Sequence, residues 1–111
     1  MPGTYKVFQI VLEDDLVDLV NKEGWECHVK ALAYMEASFG KTKLGVMHNC
    51  YSHVGDIIAD DLEHVFEVGN IGPEDRIIRH DRMRSVSVGD IVEDPNGVKH
   101  VVASVGFEEI A

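Results

Sequence analysis

Residues 4–12, TYKVFQIVL, constrain the fold most, because they predict a β-strand that is apolar on both of its faces. One face carries Phe8, Ile10 and Leu12, and the other carries Tyr5, Val7 and Val11, interrupted by Gln9. Such a strand must be covered on both sides, since either face would otherwise leave apolar surface in water. The sequence therefore predicts that this strand lies inside a sheet.

Helix signals follow this strand and recur twice along the chain. The first predicted helix is capped by Asp14 or Asp15 and ends near Gly24, and the second spans residues 27–39 before Gly40. The third is capped by Asp60 and ends at Gly69 or Asn70. Acidic side chains favour the amino end of a helix, and glycine is favoured just past its carboxyl end. The acidic residues 13–18 are therefore interpreted as a solvated helix start and not as a metal site. In the last helix, Leu62, Val65 and Phe66 are expected to share one face.

Extended patterns account for most of the remaining chain. Residues 51–58 predict a short strand, and Gly72-Pro73 predicts a turn after which the pattern becomes extended. Val86 and Val88 alternate there, and Ile91 and Val92 follow the break at Gly89.

The pair Asn96-Gly97 is a strong hairpin signal between two apolar strands, so the chain is expected to reverse there and return over residues 98–105. Phe107 and Ile110 predict a last short edge strand. The order of elements predicts an α+β fold in a single domain, residues 1–111. Two or three helices pack on one antiparallel or mixed sheet that ends in a carboxy-terminal hairpin.

Composition excludes several classes of function. Ten basic and twenty acidic residues give a net charge of −10, which disfavours direct binding to nucleic acids or anionic membranes. No apolar run is long enough to span a bilayer, and the first residues do not resemble a secretory signal. Cys27 and Cys50 are interpreted as reduced, buried thiols, which predicts a cytoplasmic location.

Catalytic and cofactor motifs are absent from the sequence. It contains no G-x-S-x-G elbow, no G-x-G-x-x-G loop and no P-loop. His48, Cys50 and His53, with Cys27-His28 upstream, do not have the spacing of structural zinc sites. We therefore expect no catalytic residue, no metal site, no cofactor and no enzymatic activity, and whether these side chains come together stays open.

Arginines concentrate in one part of this acidic chain. The candidate binding residues are Arg76, Arg79, His80, Arg82, Arg84, Ser85, Ser87 and Asp90. Arginine prefers carboxylate or phosphate partners, so the four arginines with His80 could form an anion-binding edge. The favoured alternative is internal pairing with Glu74, Asp75 and Asp81, or with acids elsewhere on the surface. Gly89 and Asp90 are expected to form a tight turn, with a positive φ at Gly89.

Several of these segments resemble the YodL-like domain family. The resemblance is carried by Tyr5-Lys-Val-Phe-Gln9, by DDLEHVFEVGN, by Ser85, Ser87, Val88 and Asp90 within RMRSVSVGDIVED, and by Gly106 and Phe107 within GVKHVVASVGFEEI. Gly89 stands where many members carry serine, and residues 25–49 are not matched. The resemblance implies that the carboxy-terminal half is one folded unit, in a small protein of the kind that bacterial phages and mobile elements encode. It implies no reaction, cofactor or catalytic residue.

The hypothesis that follows is a small acidic accessory protein, phage-encoded and non-enzymatic, that binds a protein of the bacterial host in the cytoplasm. One alternative is an anti-defence protein that sequesters a nucleotide-type small molecule with residues 76–84. Another is a DNA-mimic inhibitor. A homodimer also stays open, because symmetric dimers are the commonest assemblies.

Overall fold

The strand β1 (Gly3–Ile10) lies inside a six-stranded antiparallel sheet, which confirms the expectation from its two apolar faces. The computed structural model describes residues 2–110. The other strands are β2 (Tyr51–Ala59), β3 (Ile77–Arg79), β4 (Ile91–Glu93), β5 (Lys99–Val102) and β6 (Phe107–Ile110), in the sheet order β3-β2-β1-β4-β5-β6. The helices are α1 (Asp14–Glu23), α2 (Val29–Ala37), α3 (Lys43–Met47) and α4 (Leu62–Ile71). The predicted α+β class is therefore confirmed.

Two apolar clusters hold the helices on the sheet. The larger cluster joins Val65 and Val68 of α4 to the central strands, including Val7 and Ile57. The smaller cluster joins Ala33 and Ala37 of α2 to Ile10 at the end of β1 and to Cys50. Each fully buried aliphatic side chain contributes about 1.5–3 kcal/mol to folding, so these clusters supply most of the stabilisation.

The two cysteines differ in burial. Cys50 is buried, as predicted, within the smaller apolar cluster. Cys27 ends the 3-10 turn that precedes α2 and is only partly buried, so the prediction of burial was wrong for this thiol.

The carboxy-terminal strands pair as the turn signals predict. Ile91 pairs with Val101 across the β4–β5 hairpin, and Val102 pairs with Phe107 across the β5–β6 hairpin. In the first turn, Asp94 accepts hydrogen bonds from the backbone of Asn96 and Val98. Strand β6 forms one edge of the sheet, as predicted for Phe107 and Ile110.

A β-bulge interrupts the pairing of β1 with β2. Val7 pairs with Gly55 and Phe8 pairs with His53, so Val54 is an extra residue without a partner on β1. Its carbonyl oxygen instead accepts hydrogen bonds from the backbone amides of His80 (2.9 Å) and Asp81 (3.2 Å). The bulge therefore fastens the chain after β3 to the middle of β2.

Several predicted boundaries were wrong. The predicted second helix, residues 27–39, is a 3-10 turn (Trp25–Cys27) followed by α2, and helix α3 was missed. Glu13 and Asp61 occupy the amino-terminal cap positions of α1 and α4, and α4 continues through Asn70 to Ile71.

Packing and hydrogen bonding explain the other differences. Phe66 is exposed, and Val68 takes the expected place in the core. The alternation of Val86 and Val88 does not form a strand, because Asp90 and Gln9 hold this segment as an irregular loop. The strand expected at residues 98–105 is shorter, Lys99–Val102.

Gly89 is required by its conformation and by its surroundings. Its φ of +90° is unfavourable for residues that carry a Cβ atom, as the sequence predicted. A Cβ atom at this position would also overlap the carbonyl oxygen of Ala37 at the end of α2. The loop can therefore pack against α2 only with glycine here.

The substitution Gly89→Ala tests this close packing. We expect it to destabilise the protein by about 2–4 kcal/mol, because a left-handed alanine costs about 1–2 kcal/mol and overpacking adds a similar amount. Urea unfolding at constant pH measures the change.

The matched control is Gly106→Ala. Gly106 also has a positive φ (+72°), but no atom lies within 4 Å of the place that a Cβ atom would occupy, so only the conformational cost applies. Equal losses of stability in the two variants would contradict the role of the contact with Ala37.

Candidate functional site

The buried side chains of Gln9 and Asp90 meet at the centre of the fold. They are 0% and 4% exposed, respectively. Gln9 Nε2 donates to Asp90 Oδ2 (2.9 Å) and to the carbonyl of Arg84 (3.1 Å), and its Oε1 accepts from the Arg84 amide (2.9 Å). Asp90 Oδ2 also accepts from the amide of Ser87 (2.9 Å). One glutamine on β1 therefore organises the turn that the sequence predicted at Gly89 and Asp90.

A cavity of about 80 Å³ adjoins this network. Arg84, Ser87 and Asp90 line it, together with Tyr34 and Tyr51. The Arg84 guanidinium lies 5.1 Å from the centre of the Tyr34 ring and 3.8 Å from Asp90 Oδ1. The structure therefore brings together three of the eight predicted binding residues. The cavity is smaller than the roughly 300–1,000 Å³ that small-molecule sites usually have.

The electrostatics of this cavity follow from burial. Burial raises the pKa of Asp90 to about 6, although the hydrogen bond from the Ser87 amide, the charge of Arg84 and the hydrogen bond from Gln9 all act to lower it. Burial, with the nearby charge of Asp90, also raises the pKa of Tyr51, whose hydroxyl donates to the carbonyl of Gly89 (2.6 Å). Tyr51 is therefore a hydrogen-bond donor here and not a base.

The remaining arginines do not converge on one point. Arg79 pairs with Glu74, as the internal-pairing alternative described. Arg82 lies 3.4 Å from Asp14 at the start of α1, and Arg76 donates to the carbonyl of Ile58 (3.4 Å). Ser85 contributes its backbone carbonyl to Gln9 at 3.4 Å. These contacts divide the predicted anion-binding edge into separate local pairs.

His80 belongs to a different cluster from the arginines. Its Nε2 lies 2.8 Å from Asp56 Oδ2, and His53 Nε2 lies 2.6 Å from Asp56 Oδ1. Within residues 2–110, these three side chains form the group whose geometry could hold a metal ion. Cys50 and His48 stay apart from it, and the Cys50 thiol is directed to the carbonyl of His48 (3.8 Å).

Sequence reasoning considered His53 and His80 separately but missed Asp56 and the meeting of the three side chains. In a regular strand, residues three apart point to opposite faces, so His53 and Asp56 would not meet. The extra residue Val54 reverses the alternation and places both on one face. The available sequence signal was Gly55, since glycine inside a strand often marks a bulge.

The pKa of Asp90 predicts a pH dependence of folding. Because the folded-state pKa (about 6) is higher than the unfolded value, the folded state binds the proton more tightly. Stability from this group is therefore present in full below about pH 4 and is lost as the pH rises through about 6, by about 3 kcal/mol in total. Urea unfolding of the wild type and of Asp90→Asn across this range isolates the contribution.

The variant Asp94→Asn is the control of opposite sign. Hydrogen bonds from His100 and from the turn backbone hold the pKa of Asp94 below its ordinary value, so Asp94 stabilises the fold more as the pH rises. Parallel profiles for the wild type and Asp90→Asn would contradict the prediction.

Comparisons with known proteins found no relative of this chain. Neither the family models, nor the curated proteins, nor the solved structures contain a match to this chain. The resemblance to the YodL-like family stays a prediction from the residues that carry it. Among residues 2–110, none of the helices has both the length and the apolar content needed to cross a bilayer.

Proposed function

We propose that this chain is a small non-enzymatic accessory protein, of the kind encoded by phages and mobile elements, that binds a protein of its bacterial host in the cytoplasm. The observation that supports this most is the exposed apolar surface between α2 and the end of α3. Phe39, Val46 and Met47 are 76%, 52% and 64% exposed. Phenylalanine and methionine are enriched at protein–protein interfaces.

These apolar residues lie where the YodL-like pattern is not matched. Residues 25–49 contain five of the ten exposed large apolar side chains of the described chain. The five are Trp25, Val29, Phe39, Val46 and Met47. A segment that departs from a shared pattern while exposing apolar surface is suited to recognition of a particular partner.

The net charge of −10 indicates the chemistry of that partner. A basic surface around an apolar pocket would complement both the charge of this chain and its exposed side chains. Charge complementarity mainly accelerates association and selects the partner, whereas the buried apolar side chains supply affinity. The complex should therefore form more slowly at high salt.

The double variant Phe39→Ser/Met47→Ser tests the proposal. We expect it to lose a host protein that the immobilised wild-type chain retains from lysate, with affinity reduced by about tenfold or more, since interface anchors commonly contribute at least 1–2 kcal/mol each. Titration of the purified partner by calorimetry measures the loss.

The matched control is Ile71→Ser/Val105→Ser, which removes two exposed apolar side chains outside residues 25–49. The control variant should retain the partner. If both double variants lose the partner, or if both retain it equally, the proposed surface is contradicted. Size-exclusion chromatography of the same variants shows whether the surface instead joins two copies of this chain.

Sequestration of a nucleotide-type molecule is the alternative with a structural feature in its favour. A hollow of about 220 Å³ beside α1 is lined by Arg82, Arg84 and Tyr34. Its volume is below the usual range for small-molecule sites, which counts against this hollow as a nucleotide site. If a nucleotide is the ligand, its addition should raise the melting temperature, and Arg84→Gln should abolish that rise.

A further inference from the structure

We propose that His53, Asp56 and His80 form a binding site for one divalent transition-metal ion, with Zn²⁺ as the best match. Two imidazole nitrogens and one carboxylate oxygen are a donor set that suits zinc and neighbouring first-row metals. The three candidate ligand atoms lie within 4.8 Å of one another. This site is separate from the apolar surface of residues 39–47 and does not depend on protein binding.

The distances between the ligand atoms are close to those of a bound metal. His53 Nε2 lies 2.6 Å from Asp56 Oδ1, and His80 Nε2 lies 2.8 Å from Asp56 Oδ2. Ligand atoms around a tetrahedral zinc are about 3.3 Å apart, given bonds of about 2.0 Å. Each nitrogen–oxygen pair would therefore separate by about 0.5–0.7 Å around a bound ion, and the three donors already lie within 4.8 Å of one another.

Backbone contacts hold the ligands in place. His53 and Asp56 lie on the same strand, on either side of the bulge at Val54. The Val54 carbonyl accepts from the amide of His80, so the same bulge sets the position of the third ligand. The His53 ring also packs against Phe8, with centroids 5.2 Å apart, which restricts its rotation. The fold therefore already restricts the ligand side chains, so an ion that binds here loses little free energy to ordering them.

The site is open to solvent on one side. The side chains of His53, Asp56 and His80 are 36%, 17% and 43% exposed. An ion can therefore enter without unfolding, and water or another ligand completes its coordination. Lys6 lies opposite Asp56 in the β1–β2 register, but its ammonium group is 3.7 Å from Glu93. Lys6 therefore pairs with Glu93 and not with Asp56.

A hydrogen-bonded cluster without a metal is the competing explanation. In that case Asp56 accepts from both imidazoles, and Zn²⁺ has no higher affinity for this cluster than for other histidine–carboxylate pairs of the chain. His100 and Asp94 form such a pair at 3.0 Å, with a single histidine. If the cluster binds a metal ion, His80→Gln weakens Zn²⁺ binding and His100→Gln does not. If it is only a hydrogen-bonded cluster, the two substitutions have the same effect on Zn²⁺ binding.

Calorimetric titration of Zn²⁺ into the tag-free, chelator-treated full chain tests the proposal. We expect one ion per chain, and His80→Gln and His53→Gln should each weaken binding more than about 100-fold, beyond the cost of losing a second-shell partner. Glutamine keeps a hydrogen-bond donor for Asp56, which protects the fold. His100→Gln and Cys27→Ser are the controls and should bind Zn²⁺ like the wild type.

Three results would overturn the site. They are no saturable binding to the wild type, unchanged affinity in His80→Gln, and an equal loss in either control variant. If the glutamine variants do not fold by circular dichroism, imidazole NMR signals of the wild type decide the question. Zn²⁺ should then shift the ring signals of His53 and His80 and leave those of His64 and His100 in place; any other pattern rejects the proposal.

Discussion

The hydrogen bonds of the Gln9 side chain are the constraint on which the rest of the structure depends. Gln9 is fully buried on the central strand, so each of its polar atoms needs a partner within the protein. Its partners are Asp90 and the backbone of Arg84 and Ser85. Among the described residues, no buried side-chain nitrogen or oxygen lacks a partner. The amide thus fixes the loop that leads into β4 and, through it, the two carboxy-terminal hairpins.

This arrangement explains why a charged residue is tolerated in the interior. Asp90 receives hydrogen bonds from Gln9 and the Ser87 amide, and Arg84 lies close enough to offset part of its charge. Burial still has the larger effect and keeps the pKa of Asp90 near 6. The network therefore lowers the stability of the fold at neutral pH, and it holds the loop in one conformation.

Sequence patterns predicted the parts of the fold that depend on local chemistry. The central position of β1 followed from its two apolar faces, and the β4–β5 hairpin followed from Asn96-Gly97. The irregular loop at Val86 could not be predicted, because its shape depends on Gln9, which lies more than seventy residues away in the sequence. Helix α3 has only five residues, too few for a helical pattern to be evident.

The candidate sites show the same division between local and distant effects. The pairing of Arg79 with Glu74 was among the alternatives, since the two residues are close in sequence. The cluster of His53, Asp56 and His80 was not, because it needs a bulge in one strand and a loop from the next. A bulge changes which residues share a face, so alternation arguments fail on its far side.

The antiparallel pairing of β1 with both β2 and β4 has a consequence for biosynthesis. Gln9 and Asp90 are 81 positions apart, so the hydrogen bond between them cannot form until the ribosome has added Asp90. Strands β1 to β3 and helix α4 all precede Asp90 in the chain, so until Asp90 is in place the amide of Gln9 has to be satisfied by water. The interior around β1 is therefore complete only after the loop that contains Asp90 and strand β4 have joined it.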